Sequence, residues 1–90
     1  MKTYRIEFTK SAAKELKKIS KEVQERIIES LQLLATNPYS DLLKFKKIHG
    51  AENLYRIRIG DYRVVYEVRN DVLKIIVIKV GHRREVYRKF

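Results

Sequence analysis

Residues 54–68 read LYRIRIGDYRVVYEV, and no other stretch limits the fold as strongly. Tyr55, Ile57 and Ile59 alternate with Arg56 and Arg58, the period-2 pattern of a half-buried strand, and Gly60-Asp61 is a two-residue hairpin signal. With a loop that short, Ile59 faces Tyr62 across the turn and Arg58 falls opposite Arg63. Arg56, Arg58 and Arg63 then share one face, while Tyr62, Val64, Tyr66 and Val68 turn inward with the apolar residues of the first strand. Like charges directly opposite each other destabilise a sheet, which raises the question of what the guanidinium groups are for.

The rest of the chain supplies a second layer. Tyr4, Ile6 and Phe8 alternate with Arg5 and Glu7, giving a first short strand. From Thr9 or Ser11, either of which can act as N-cap, Ala12, Ala13, Leu16 and Ile19 recur at helical spacing. Ser20 is placed to cap a second helix, in which Val23, Ile27, Leu31 and Leu34 form a stripe that Ile28 and Ala35 widen. Asn37-Pro38 stops that helix, because the residue before a proline is pushed out of the α region. LLKFKKIH (42–49) reads as a lysine-flanked strand, and LKIIVIKV (73–80), apolar on both faces, as a central strand reached through a turn at Arg69-Asn70-Asp71. The expectation is a single α+β domain over residues 1–90. It is a two-layer domain whose N-terminal strand and helix hairpin pack on one face of a mainly antiparallel sheet, with Arg56, Arg58 and Arg63 projecting into solvent from the other.

A 90-residue chain buries roughly 60 to 65% of its unfolded surface, too little for a deep cavity, so any site is a surface groove. Its 21 Lys+Arg against 11 Asp+Glu leave a net charge of +10, which points to a polyanionic partner. Residues 1–43 carry 8 basic and 6 acidic groups and residues 44–90 carry 13 and 5, so the excess belongs to one half and favours one binding face. The chain has no cysteine, which excludes a disulfide framework and a thiolate metal site, and its two histidines make no metal cluster. The start MKTYRIEF lacks the apolar run of a signal peptide, and no stretch approaches the length of a membrane span. A cytoplasmic protein without a membrane partner is expected.

The tail VGHRREVYRKF extends the cationic theme with Arg83, Arg84, Arg88 and Lys89, one histidine, Tyr87 and Phe90. If the last strand neighbours the hairpin, this tail lies beside the arginine face. Guanidinium groups clamp phosphate bidentately and stay charged at every accessible pH, and Tyr87 between arginines offers a stacking surface for an unpaired base. Neither helix is basic along one face and free of a core-packing stripe, so duplex DNA has no obvious reader. Lys46, Lys47, Lys79, Arg84 and Arg88 are candidates for further RNA contacts. Against this stands the plain alternative that strand arginines are solvated side chains whose stems cover apolar surface, and that Lys44, Lys46 and Lys47 are a solvated edge. His49 reads as structural, and Tyr4, Tyr55, Tyr62 and Tyr66 as core.

Cleavage of RNA would need a base for the ribose 2′-hydroxyl, donors for the charge growing on phosphorus, and an acid for the leaving oxygen. Donors abound. Arginine does not readily give up its proton, so the acceptors on offer are His82, Tyr87, Lys79 or a carboxylate such as Glu85. Composition and spacing alone support binding better than cleavage.

The order KSAAKELKKI, LYRIRIGDYRVVYEV, IIVIKVGHRREVYRKF resembles the RelE family of toxins from bacterial and archaeal toxin-antitoxin pairs, over nearly the whole chain. The second and third segments are the specific part. The resemblance implies one RelE-like toxin domain and a ribosome-dependent endoribonuclease, an mRNA interferase that enters the decoding site. There it cleaves messenger RNA by attack of the 2′-hydroxyl on the adjacent phosphate, with no metal or other cofactor. It also implies an acidic, largely helical antitoxin as partner, with the toxin monomeric alone and the complex a higher hetero-oligomer. Carried over by position, Arg56 and Arg58 stand where family members have a pair of strand lysines, Arg63 matches an arginine of a G-x-Y-R segment, Arg83 the arginine after the last strand, and Tyr87 the tail tyrosine. In the family these groups clamp and distort the phosphate, protonate the leaving oxygen (the Arg83 position) and stack on or activate the nucleotide (Tyr87). Arg58 departs from a lysine proposed as base, and its pKa above about 12 makes it a poor proton acceptor. Either positioning and charge stabilisation carry most of the rate, or Tyr87 or His82 supplies the base, or activity is weak. ParE-like toxins, similar in fold, inhibit DNA gyrase by binding and are the alternative, resembling this chain in its first half. A non-catalytic RNA-binding protein is a third reading. The joint presence of Arg56, Arg58, Arg63, Arg83 and Tyr87 favours RNA cleavage.

Overall fold

The structure, a computed structural model, describes residues 3–39, 45–48, 50 and 52–82. Strand β1 (Arg5–Phe8) leads into α1 (Lys10–Lys17), and α2 (Lys21–Thr36) follows. Of the residue types on offer to start α1, Thr9 does so: its hydroxyl accepts the Ala12 N–H at 3.1 Å, and its backbone N–H donates to the Val77 carbonyl at 3.0 Å. The helix start is thereby tied to the sheet. Ser20 occupies the N-cap position of α2 without a side-chain cap bond, and Gln24 instead turns back to donate to the Ile19 carbonyl at 2.7 Å. Asn37, extended at φ −155° before Pro38, ends α2 as its sequence requires. Ile27, Leu31, Leu34 and Ala35 are buried along the expected stripe, whereas Ile28 is 38% exposed and lies off it.

Among the described residues four further strands follow: β2 (Lys46–Lys47), β3 (Leu54–Ile59), β4 (Tyr62–Arg69) and β5 (Lys74–His82). Of the lysine-flanked stretch expected as a strand, Lys46–Lys47 form β2 and the Ile48 N–H continues the pairing to the Leu54 carbonyl at 2.9 Å; 42–44 and His49 lie outside the described residues. The sheet order is β1-β5-β4-β3-β2, with β1 parallel to β5 and every other pair antiparallel. β3 and β4 meet through Gly60-Asp61 in the register read from the sequence: Ile59 opposite Tyr62, Arg58 opposite Arg63. Gly60 takes φ +61° at the first loop position, the left-handed conformation that a two-residue hairpin demands and glycine adopts without a Cβ penalty.

One layer of the core is the inward face of β3, β4 and β5, namely Ile57, Ile59, Val64, Tyr66, Val68, Ile75, Val77 and Val80. Ala12, Ile19, Ile27, Leu31 and Leu34 from the helices close over it. Each buried Val, Leu or Ile among them contributes about 1.5–3 kcal/mol by leaving water.

β5 departs from simple alternation. Strict alternation from Ile75 and Val77 would carry Lys79 into the core and turn Val80 out of it. Tyr66 pairs with Val77 but Val65 pairs with Lys79, so Ile78 is an extra residue and the pleat of β5 changes phase. Val80 is thereby delivered opposite Val64 in the core, Gly81 opposite Arg63, and His82 opposite Tyr62. Glu15 of α1 meets this irregularity: one carboxylate oxygen accepts the Val80 N–H at 3.1 Å, and the other pairs with the Lys79 ammonium.

An aromatic corner closes one end of the core. Tyr39, Phe45 and Tyr55 pack edge to face at 5.9–6.1 Å between centroids, and Tyr55 stacks on Tyr66 at 6.0 Å. Tyr4 donates to Asn70 Oδ1 at 2.6 Å while Asn70 Nδ2 donates to the Tyr39 hydroxyl at 3.1 Å, so the β4–β5 turn is fastened to both flanking segments. The Tyr66 hydroxyl is buried without a hydrogen-bond partner among the described residues. Burial first, and then the neighbouring Tyr55 and Tyr39 hydroxyls, push its pKa up from the ordinary value. Tyr66→Phe removes an unsatisfied polar group and is expected to raise unfolding free energy by about 1 kcal/mol, as read from urea denaturation at neutral pH. Since folding raises this pKa, the parent protein keeps its stability below about pH 10 and loses it above, by up to about 1.4 kcal/mol per pH unit from this group. The Phe variant should lose less over that alkaline range; equal losses in both would overturn the assignment.

Candidate nucleic-acid interface

The pleat sorts the cationic side chains into two rows on the face away from the helices. In the first row Lys46 of β2 lies opposite Arg56 of β3, which lies opposite Val65 of β4. In the second, Arg58 of β3 lies opposite Arg63 of β4, which lies opposite Gly81 of β5. The rows are adjacent at the β3–β4 turn end of the sheet. At the other end of the same face charges are compensated: Lys74 pairs with Glu7 at 3.3 Å, and Arg69 lies 3.9 Å from Asp71. Positive charge is thus concentrated beside the turn.

The two opposed arginines have different surroundings. Arg58 is exposed, donates through Nε to the Gly60 carbonyl at 3.4 Å, and makes no ion pair among the described residues. Arg63, expected in solvent, is only 6% exposed and donates through Nη1 to the Tyr62 carbonyl at 3.4 Å. Val65, on the same face and outside the core cluster, is 1% exposed. The expectation of a bare arginine face is therefore corrected. The face is open along Lys46 and Arg58, half-buried at Arg56, and covered where Arg63 and Val65 lie.

The other sequence candidates divide. Lys46 joins the first row, but Lys47 is opposite Tyr55, so the pleat assigns it to the helix side. The Lys79 ammonium is held by Glu15, which removes it from the phosphate-binding set unless that pair opens. His82 is opposite Tyr62, its ring edge-to-face with the tyrosine at 5.8 Å, and lines a cleft with Glu15, Lys18 and Ile19 on the helix side. It lies on the opposite side of the sheet from Arg58 and Arg63. Arg83, Arg84, Tyr87 and Arg88 lie outside the described residues. The cationic stretch at Lys44 does too. Among the described residues, no three of His, Asp and Glu come together as a metal-holding group.

One contributor escaped the sequence reading. Arg26 of α2 and Arg58 line the same groove, with Glu29, Ser30, Leu33, Ile59 and Gly60. Arg26 Nη1 lies 3.7 Å from where a Cβ on Gly60 would stand, which brings another guanidinium to the turn. Arg26 belongs to the solvated side of an amphipathic helix, so periodicity carried no sign of it.

Residues 6–87 match the family described as the ParE toxin of the type II toxin-antitoxin system, parDE. Toxin RelE3 of Methanocaldococcus jannaschii is 40% identical over 90 residues, covering 96% of this chain and 98% of its own. The chain belongs to the RelE-type toxins of the RelE/ParE superfamily. The mRNA interferase toxin RelE of Escherichia coli is 31% identical over 88 residues, 93% of this chain and 90% of its own. The crystal structure of the archaeal RelE-RelB complex from Pyrococcus horikoshii superposes with a TM-score of 0.79 at 32% identity, covering 90% of this chain and 96% of that one. The RelE-type assignment accounts for both the two-helix layer and the mainly antiparallel sheet. No helix among the described residues is long and apolar enough to cross a membrane.

Proposed function

We propose that this RelE-type toxin is an mRNA interferase that cuts message in the decoding site of the ribosome. The reading is carried by Arg58 standing directly opposite Arg63 beside the Lys46–Arg56 pair, a register that gathers four cationic side chains on one face despite the cost of placing like charges opposite each other. Kinship with a protein named an mRNA interferase supports the same reading. The 2′-oxygen of one nucleotide attacks the adjacent phosphorus, the bond to the 5′-oxygen of the next breaks, and the 2′-proton leaves to a base while the departing oxygen gains one. Arg56, Arg58 and Arg63 orient the phosphate and stabilise the charge that gathers on its oxygens, which removal of one such donor typically weakens by about 10²–10³ in rate. Arg83 protonates the leaving oxygen and Tyr87 stacks on the nucleotide. His82 faces the helices, so Tyr87 is the better acceptor for the 2′-proton.

The partner that silences this activity is an acidic, largely helical antitoxin, drawn to the same positive charge, in a hetero-oligomeric complex. The match to a family described by its ParE member keeps inhibition of DNA gyrase as the second reading. The deciding experiment maps message ends on translating ribosomes with and without the purified protein, beside a gyrase supercoiling assay. Cuts at decoding-site codons, lost in Arg83→Ala and in Tyr87→Phe with antitoxin binding retained, are the expected result. Gyrase inhibition without cuts would replace this function by the other.

A further inference from the structure

We propose that Glu15 is a positioning residue for the cationic face, although it lies on a helix on the opposite side of the sheet. This rests on reading that face as the RNA site. The geometry begins with the phase change in β5. Without the extra residue, continuing the Tyr66–Val77 register would set Ile78 opposite Val65, Lys79 opposite Val64, and Val80 opposite Arg63. A lysine would enter the core and a valine side chain would stand against the arginine row. With the extra residue, Gly81 stands there and leaves the row free of a side chain from β5.

Two registers of one strand differ by a single step, and a bulge locally disrupts the ladder, so contacts from outside the strand help to fix which register is adopted. Glu15 supplies two such contacts just past the extra residue. Its carboxylate takes the Val80 N–H at 3.1 Å and the Lys79 ammonium, with side-chain exposures of 24% for Glu15 and 12% for Lys79. Glu15 is itself anchored, since α1 begins at Thr9, which is hydrogen-bonded to the Val77 and Ile78 carbonyls of β5. The clasp therefore closes a loop from β5 through α1 and back to β5, one residue short of Gly81. Loss of the clasp frees the end of β5 to slip or fray, and the Arg63–Gly81 pairing goes with it.

Amide exchange in the free protein, which needs no RNA, gives the first readout. Loss of a hydrogen bond to a charged group is worth about 10- to 150-fold in an equilibrium, so Glu15→Ala is expected to lower protection of the Val80 amide at least about tenfold, with Ile27 and Leu31 in α2 unchanged. Glu15→Gln keeps an oxygen acceptor for Val80 and should retain most of that protection. Single-turnover cleavage on programmed ribosomes gives the second: the rate falls about tenfold or more in Glu15→Ala, the half-saturating concentration moves less than about threefold, and Glu15→Gln recovers most of the rate. Glu25→Gln, on the exposed side of α2, should behave as the parent. Two results overturn the proposal: Val80 equally protected in Glu15→Ala, or Val80 exposed while cleavage proceeds at the parental rate. If the parent itself cuts no message, the nuclease reading fails and with it any catalytic role for Glu15, whereas exchange at Val80 still decides whether the clasp holds the strand.

Discussion

Arg58→Ala is expected to lower message cleavage about a hundredfold and leave the unfolding midpoint nearly unchanged, whereas Arg63→Ala should lower both. The two residues stand opposite each other in one register pair, so chemistry alone would make them equivalent. Their surroundings separate them. Arg58 is exposed at the rim of the groove shared with Arg26, with one long 3.4 Å hydrogen bond to the Gly60 carbonyl, and surface substitutions of this kind usually stay within about 0.5 kcal/mol. Arg63 is 6% exposed, and truncating a buried, hydrogen-bonded cation leaves its partners unsatisfied at a penalty of roughly 1–3 kcal/mol. Ribosome-programmed cleavage and urea denaturation of both variants test the pair together. Arg63→Ala with parental stability would show that its burial is incidental, and Arg58→Ala with parental cleavage would remove the exposed row from the mechanism.

The second large effect concerns salt. If Lys46, Arg56, Arg58 and Arg63 account for three to four phosphate contacts, log affinity for single-stranded RNA falls with log salt at a slope of about −2 to −3. Between 50 and 200 mM salt that is roughly a 20- to 50-fold loss of binding, and Arg58→Ala should make the slope shallower by about 0.7. Filter binding of a short unstructured RNA across that range measures both. A slope near zero would exclude the cationic rows as the main contact, whatever the cleavage assay shows.

The hairpin was legible because everything that determines it is local. Period-2 alternation from Tyr55 to Val68 and a glycine at the first loop position leave one register, and that register by itself sets Arg58 against Arg63. The helices were legible for the same reason, down to the stop before Pro38. Departures arise where distant segments decide. Ile28 lies off the core because its exposure depends on where α2 rests, not on its spacing from Leu31. The side of the sheet on which His82 falls depends on a one-residue insertion four positions earlier, and parity counted along an unbroken strand gives the wrong answer. A trace of that insertion was present: Lys79 occupies a position that alternation would bury, directly before a valine that it would expose. A charge at a core phase followed by an aliphatic residue is a cue for a bulge. Burial of Arg63 left no trace at all, because it depends on what lies over the face.

Pairing of Arg5 with Lys74 makes β1 a neighbour of β5, the described strand furthest from it in sequence. Contacts of such wide sequence separation form late and slow folding, because a long loop must close before they reward it. A nascent chain that has not yet extruded residues 74–82 offers Arg63 no Gly81 and leaves β1 without a strand to lie against. On the proposed reading, the cationic rows are thus complete only once β5 has joined the sheet, and a chain that lacks those residues has no finished RNA site.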